Sequence, residues 1–125
     1  MIHLDTSFLV RALVAHSSEE SYLREWLAGG TPVRVSSIVW AEFLCGPVEE
    51  SHINLAAQVF PEPIPFTGED AARAARLFNL TGRRRGSLTD CMIAAIAVRS
   101  RAAVASSNPR DFRRFEAAEL KVLAL

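Results

Sequence analysis

The chain is poor in several things that would each have announced a function. It has only two cysteines in 125 residues. Cys45 and Cys91 lie far apart without zinc-ligand spacing, which excludes a disulfide framework and a Cys/His zinc site. Apolar neighbours make both of them expected buried free thiols in a reducing compartment. There is no excess of charge, since 14 Lys and Arg balance 14 Asp and Glu. That excludes a polybasic nucleic-acid coat but leaves a local basic patch open. The longest apolar run, Cys91 to Val98, is far too short to span a bilayer. No basic residues precede the first apolar stretch, and Arg11 and His16 break that stretch, so it makes a poor signal peptide. A cytoplasmic protein is the expectation. Repeats, low-complexity tracts and interdomain linkers are also missing.

What is present suits one small core. Half of the residues are hydrophobic and 22% are charged, which supports a single ordered domain over residues 1–125. Ile2 to Asp5 reads as a short buried strand, and Thr6 as the N-cap of a helix to about Ala15. Ser17 and Glu20 suit a capping box for a second helix with Tyr22, Leu23, Trp26 and Leu27 on its apolar stripe. Gly29 and Gly30 end it. Val33 to Ser36 is the second strand, followed by a helix from Ile38 to Cys45 capped by Ser36 or Ser37. Gly46 and Pro47 stop that helix. A helix from about Glu50 to Phe60 precedes a third strand at Ile64 to Phe66. Thr67 opens a helix to about Leu80, and Ser87 opens another through Val98. Ala102 to Ser106 and Glu119 to Leu123 are the last two strands. Strands alternating with helices call for a mainly parallel sheet covered on both faces, a three-layer α/β/α domain.

Ligands of such sheets gather beyond the carboxyl ends of the strands. Asp5 closes the first strand, Glu42 lies early in the helix after the second, and Asn108 and Asp111 follow the fourth. Topology alone therefore sends these four towards one rim. Asp90 joins them only if the helix before it lies across the sheet. Each acid also has a plainer reading. Asp5 suits a helix cap, and Ser87 with Asp90 suits an N-terminal capping pair. Glu42 is flanked by Val39, Trp40, Ala41, Phe43 and Leu44, where a carboxylate is costly to bury without a partner. Its plainer reading is a surface glutamate. Clustered carboxylates raise one another's pKa, and a divalent cation removes the penalty. An all-oxygen donor set suits Mg²⁺ or Mn²⁺, which activate water and neutralise charge in phosphodiester cleavage.

Four segments then carry a resemblance. Leu4-Asp5-Thr6-Ser7 resembles the first acidic motif of PIN-domain ribonucleases, particularly the VapC toxins of bacterial toxin–antitoxin pairs. The run from Ser36 to Phe43 is similar to the segment bearing their central Glu, and Leu88 to Ala95 to the helix bearing their third acid. Ala105 to Phe112 resembles their Thr-x-Asn-x-x-Asp-Phe segment, with Ser106 in place of Thr. The matches fall in family order over nearly the whole chain. The resemblance implies a five-stranded sheet of order 3-2-1-4-5, with Asp90 beside Asp5 and Glu42. It implies that Asp5, Glu42 and Asp90 are metal-site acids and Asp111 the fourth. Asn108 occupies a position that is Asp in some relatives, so which of Asn108 and Asp111 serves the metal stays open. Thr6 and Ser106 would orient carboxylates or waters. The implied activity is Mg²⁺- or Mn²⁺-dependent RNA cleavage leaving a 5′-phosphate and a 3′-hydroxyl. The implied partners are RNA, a small antitoxin covering the active-site groove, and a second copy of the chain.

Arg83, Arg84 and Arg85 before the Asp90 helix, and Arg110, Arg113 and Arg114 around Asp111, are candidate phosphate contacts or simply solvated charges. Three rival readings stay in view. One is a non-catalytic RNA- or protein-binding module of the same fold, to which Asn108 lends weight. Another is an aspartyl-phosphate enzyme using Asp5, which lacks its second Asp because Ser7 stands there. The last is a metal-free histidine nuclease, but His3, His16 and His52 form no convincing pair.

Overall fold

Ile2, His3 and Leu4 are buried at every position, as a strand covered on both faces requires. They form β1 (Ile2–Leu4) at the centre of a parallel sheet of order β2-β1-β3-β4. A computed structural model describes all of residues 1–125. β2 (Val33–Arg34) and β3 (Ala103–Ala105) pair with β1 on either side, in registers Ile2↔Val33 and Leu4↔Ala105. β4 (Lys121–Val122) adds to β3.

The sheet has four strands and not the expected five. The third anticipated strand shrinks to one bridge, Ile64 beside Ser36 at the β2 edge. Ile64 donates to the Val35 carbonyl at 2.9 Å, and its own carbonyl accepts from Ser37 at 2.7 Å. Pro63 and Pro65 flank it without amide hydrogens, so the ladder cannot extend in either direction. The anticipated order holds with its outermost member reduced to that bridge.

The flanking helices are α1 (Thr6–Ala12), α2 (Ser18–Ala28), α3 (Ser37–Cys45), α4 (Glu50–Val59), α5 (Gly68–Leu80), α6 (Leu88–Arg99) and the short α7 (Arg110–Arg113). Their apolar faces meet the sheet in one cluster that includes Leu4, Phe8, Val39, Phe43, Val104, Phe112 and Phe115. Several starts follow the sequence. Ser17 caps α2 through the Glu20 amide, Ser36 caps α3 through the Val39 amide, and Thr67 with Asp70 closes a full capping box on α5. Gly82, at φ 89° just past α5, takes a left-handed turn that a side chain would resist. Departures are local. α1 ends at Ala12 rather than near Ala15. Leu27 is 46% exposed and Cys45 is exposed, so neither joins the core as expected. Trp26 does pack inward, stacking on Phe8 and Tyr22.

The placement of α6 decides where Asp90 lies. Asp70, in the first turn of α5, is fully buried and receives Arg99, the last residue of α6, through two bonds of 2.7 and 2.9 Å. Arg99 also donates to the Pro65 carbonyl at 3.0 Å. The start of one helix is thereby tied to the end of the other, so α5 and α6 run antiparallel. α5 carries the chain across to the carboxyl rim of the sheet, α6 begins there, and β3 returns parallel to β1. No helix is long and apolar enough to cross a membrane.

Candidate active site

Asp5 does two things at once. Its backbone turns out of β1 and its Oδ1 caps α1, accepting from the Phe8 amide at 2.8 Å. Asp5, and not Thr6, is therefore the N-cap. The same carboxylate accepts from the Ser7 hydroxyl at 2.9 and 3.1 Å and from the Ser106 hydroxyl at 2.5 Å. Ser106 sits directly beyond β3, and its hydroxyl oxygen also accepts from the Asn108 backbone N–H at 2.9 Å. Burial pushes the Asp5 carboxyl above its ordinary range. The bonds from Ser106, Phe8 and Ser7 pull the other way, and the charge of Asp111 adds to the rise.

Thr6, the first residue of α1, reaches sideways. Its hydroxyl donates to Glu42 Oε1 at 2.5 Å, joining the start of α1 to α3. Glu42 itself is exposed, so its apolar neighbours in sequence do not imply burial. Only Val39 and Phe43 of α3 are buried, while Ala41 and Leu44 face outward with it. The cost argued for a buried Glu42 thus does not arise.

Asp90 lies in the first turn of α6 but takes no part in capping. The Ser87 hydroxyl turns back to donate to the Arg84 carbonyl at 2.7 Å, and α6 has no side-chain cap. The Asp90 carboxyl is pushed up to about 6, first by burial and next by the charge of Asp111. Arg114 opposes the rise, and Glu42 and Asp5 add to it. Four acids from separate segments therefore act on one another at one rim, which is the juxtaposition topology left open for Asp90. As they stand, no three His, Cys, Asp or Glu side chains are drawn together closely enough to hold an ion. Glu42 and Asp111 are both exposed, and exposed side chains change rotamer readily. The donors are all oxygen, and burial, with like charge added, raises two of them, so the set fits a hard divalent cation.

The arginines divide. Arg83, Arg84 and Arg85 are exposed on the α5–α6 loop. Arg83 donates to Asn79 at 2.7 Å and lies over the Phe78 ring, so it folds back on the end of α5. Arg110 and Arg113, with Ser107, Asn108, Pro109 and Asp111, line a polar concavity of about 460 Å³. Arg114 turns inward instead. It packs 4.6 Å over Phe115 and approaches Asp90 to 3.6 Å, the only cation paired with a rim acid. Two features escaped the sequence. Ser7 is a direct partner of Asp5, and the run Thr6-Ser7 after a strand-ending Asp was its available signal. Glu19, on α2, is almost buried against Arg11 and Ser107, and nothing local marks it. His3 is buried in the sheet with its pKa lowered to about 4, by burial first and then by the charges of Arg34, the N-terminus and Arg99. No rim acid is among the charges that act on it.

This architecture matches a known family. The PIN domain model matches residues 2–118, and the chain belongs to the PIN-domain family. Among solved structures it is similar to VapBC2 from Rickettsia felis, bound to a DNA fragment from its promoter, with 25% identity, 98% of both chains covered and a TM-score of 0.77. A toxin–antitoxin complex from Klebsiella pneumoniae shares 22% identity over 99% of this chain and 97% of that one, at a TM-score of 0.75. VapC20 from Mycobacterium tuberculosis, a toxin that cleaves the sarcin–ricin loop, shares 18% identity over 85% and 87% of the two chains, at 0.63. No curated protein matches the sequence significantly.

Proposed function

We propose that the protein is a metal-dependent endoribonuclease and the toxic member of a type II toxin–antitoxin pair. The observation that carries this reading is the meeting of Asp5, Glu42, Asp90 and Asp111 at one rim, with two of the four carboxyls raised by burial and like charge. Proteins keep such an arrangement where the repulsion serves a ligand or a reaction. The VapC20 comparison supports RNA as the substrate, and the VapBC structures support an antitoxin as partner.

Asp5 and Asp90 would hold Mg²⁺ or Mn²⁺, with Glu42 and Asp111 completing the set. Asp111 is preferred to Asn108 because its charge bears on both Asp5 and Asp90. A bound ion would supply charge neutralisation at the scissile phosphate and an acidified water. The chain's own residues do the rest. Ser7, Ser106 and the Phe8 amide fix the Asp5 carboxylate. Thr6 ties Glu42 to the start of α1, and Arg114 lies 3.6 Å from Asp90. Antitoxin docking suits the groove of Leu13, Phe43, Pro47 and Val48, bordered by the exposed Val10 and Val14. A homodimer and a cytoplasmic location complete the reading.

One observation favours a non-catalytic RNA- or protein-binding module, namely that the acids are not closed into a ready-made ion site. Incubation of purified protein with structured RNA, with Mg²⁺ or Mn²⁺ and with chelator, decides between them. Metal-dependent cleavage leaving 5′-phosphate ends, absent in Asp5→Asn, is expected. Intact RNA with either metal, or equal cleavage by Asp5→Asn, would favour the binding module.

A further inference from the structure

Beside the acid rim lies the largest concavity of the molecule, about 700 Å³, lined by Thr6, Ser7, Val10, Arg11, Glu19, Ser107 and Asn108. Its size lies within the range of ligand pockets, about 300–1,000 Å³. Its lining is unusual for one, since Val10 is the only apolar member. It contains no aromatic ring on which a base could stack. Hydroxyls, an amide and a guanidinium are the chemistry that meets a sugar–phosphate backbone.

Arg11 is held for such a task. Its Nε donates to Glu19 Oε2 at 2.9 Å, and its side chain remains 59% exposed. The two terminal nitrogens have no partner within the chain, so a pair of donors stays open to the cavity. A guanidinium offering parallel donors is the side chain best matched to a phosphate. Glu19 is fixed in turn. Ser107 donates to Oε2 at 2.7 Å and Ser18 to Oε1 at 2.9 Å. Burial opposes ionisation of Glu19, but the bonds from Ser107 and Ser18, with Arg11, bring its pKa down to about 2. Glu19 is thus an ionised, fixed carboxylate that anchors Arg11 through Nε.

The same bonds lead back to the rim. The Ser107 amide donates to the Ser7 hydroxyl at 3.1 Å, and Ser7 donates to Asp5. Ser107 and Asn108 also border the second concavity, with Arg110 and Arg113. The two hollows therefore adjoin at Ser107 and Asn108, with Asp111 on the wall of one and arginines at either end. Arg83, Arg84 and Arg85 line neither.

From this geometry we infer that single-stranded RNA lies in the trough from Arg11 past Asn108 to Arg110 and Arg113, with Arg11 gripping a backbone phosphate adjacent to the scissile one and Glu19 positioning Arg11. The inference rests on the ribonuclease reading for its substrate, but it concerns binding, which can be measured without cleavage.

The test is fluorescence anisotropy of a labelled, unstructured single-stranded RNA oligonucleotide in chelator, over a series of salt concentrations, with cleavage measured separately in Mg²⁺ and Mn²⁺. Arg11→Ala should weaken binding about tenfold and reduce the salt slope by about one. Arg11→Lys, which keeps a charge within reach of Glu19, should lose affinity several-fold while retaining the slope. Glu19→Gln should lower the unfolding midpoint and weaken binding without changing the slope, as a positioning role requires. The exposed Arg24→Ala, on the same helix as Glu19, should leave binding unchanged. Wild-type binding with an unaltered slope in a folded Arg11→Ala would overturn the inference, as would wild-type protein that binds no RNA. Loss of binding in Arg11→Ala by a protein that cleaves nothing would uphold the trough and sink the ribonuclease reading. Unchanged binding by a protein that does cleave would do the reverse.

Discussion

Asp70 and Asp90 sit on neighbouring antiparallel helices, and the molecule treats them in opposite ways. Asp70 is fully buried, yet its pKa is lowered. Burial alone would raise it, but two bonds from Arg99 and the Thr67 capping box outweigh that. Asp90 is less buried, has one distant arginine at 3.6 Å, and is pushed up to about 6. The contrast separates a carboxylate that holds a fold together from one left short of partners. Asp70 has its charge matched within the chain, and Asp90 does not.

The largest expected effect is on chemistry. Asp5→Asn or Asp90→Asn should reduce RNA cleavage at least about a thousandfold, some 4 kcal/mol of barrier, with far-ultraviolet circular dichroism unchanged. A variant that cleaves at the parental rate would remove Asp90 from the site side of the comparison. Next comes Asp70→Ala, which leaves the Arg99 guanidinium only the Pro65 carbonyl and opens the α5 capping box. It should cost about 3–5 kcal/mol in urea unfolding, and a loss below about 1 kcal/mol would show that the α5–α6 tie does not hold the hairpin.

Acid titration sharpens the contrast further. His3, buried and lowered to about 4, is neutral in both states above its unfolded pKa near 6.5. Between there and about 4 only the unfolded chain takes the proton, so stability falls by roughly 3 kcal/mol as pH drops. Asp90 works in the opposite direction over much of the same window. Its ionised form costs stability fully above pH 6, and the cost vanishes below about 4, where both states are protonated. His3→Gln should therefore flatten the acid loss. The smallest effect is for Asp90→Asn without metal. Above pH 6 it should raise stability by about 1 kcal/mol, a figure reduced for partial exposure and for the lost Arg114 contact. Destabilisation of that variant above pH 6 would place Asp90 with Asp70 as a structural acid.

Much of this was legible in the sequence because it is local. A strand ending in Asp5, the caps at Ser17, Ser36 and Thr67, and the order of strands and helices all follow from neighbouring residues. Most of what escaped depends on distant ones, with one local exception. Prolines on both sides of Ile64 reduced a strand to a bridge, although the apolar pattern there suits a strand. The apolar neighbours of Glu42 suggested burial, but α3 presents only Val39 and Phe43 to the core. Asp90 reaches the rim because Asp70 meets Arg99, a pairing 29 residues apart that no periodicity reveals. The inward turn of Arg114 and the Arg11–Glu19–Ser107 chain are likewise products of the folded packing.

If the rim acids share a divalent cation, Mn²⁺ binding followed by electron paramagnetic resonance will detect it. Saturable Mn²⁺ uptake by the wild-type chain, competed by Mg²⁺, is expected, with loss in Asp5→Asn and Asp90→Asn and retention in Glu69→Gln at the far end of α5. Absence of uptake, or equal uptake by the two rim variants, would contradict the shared site.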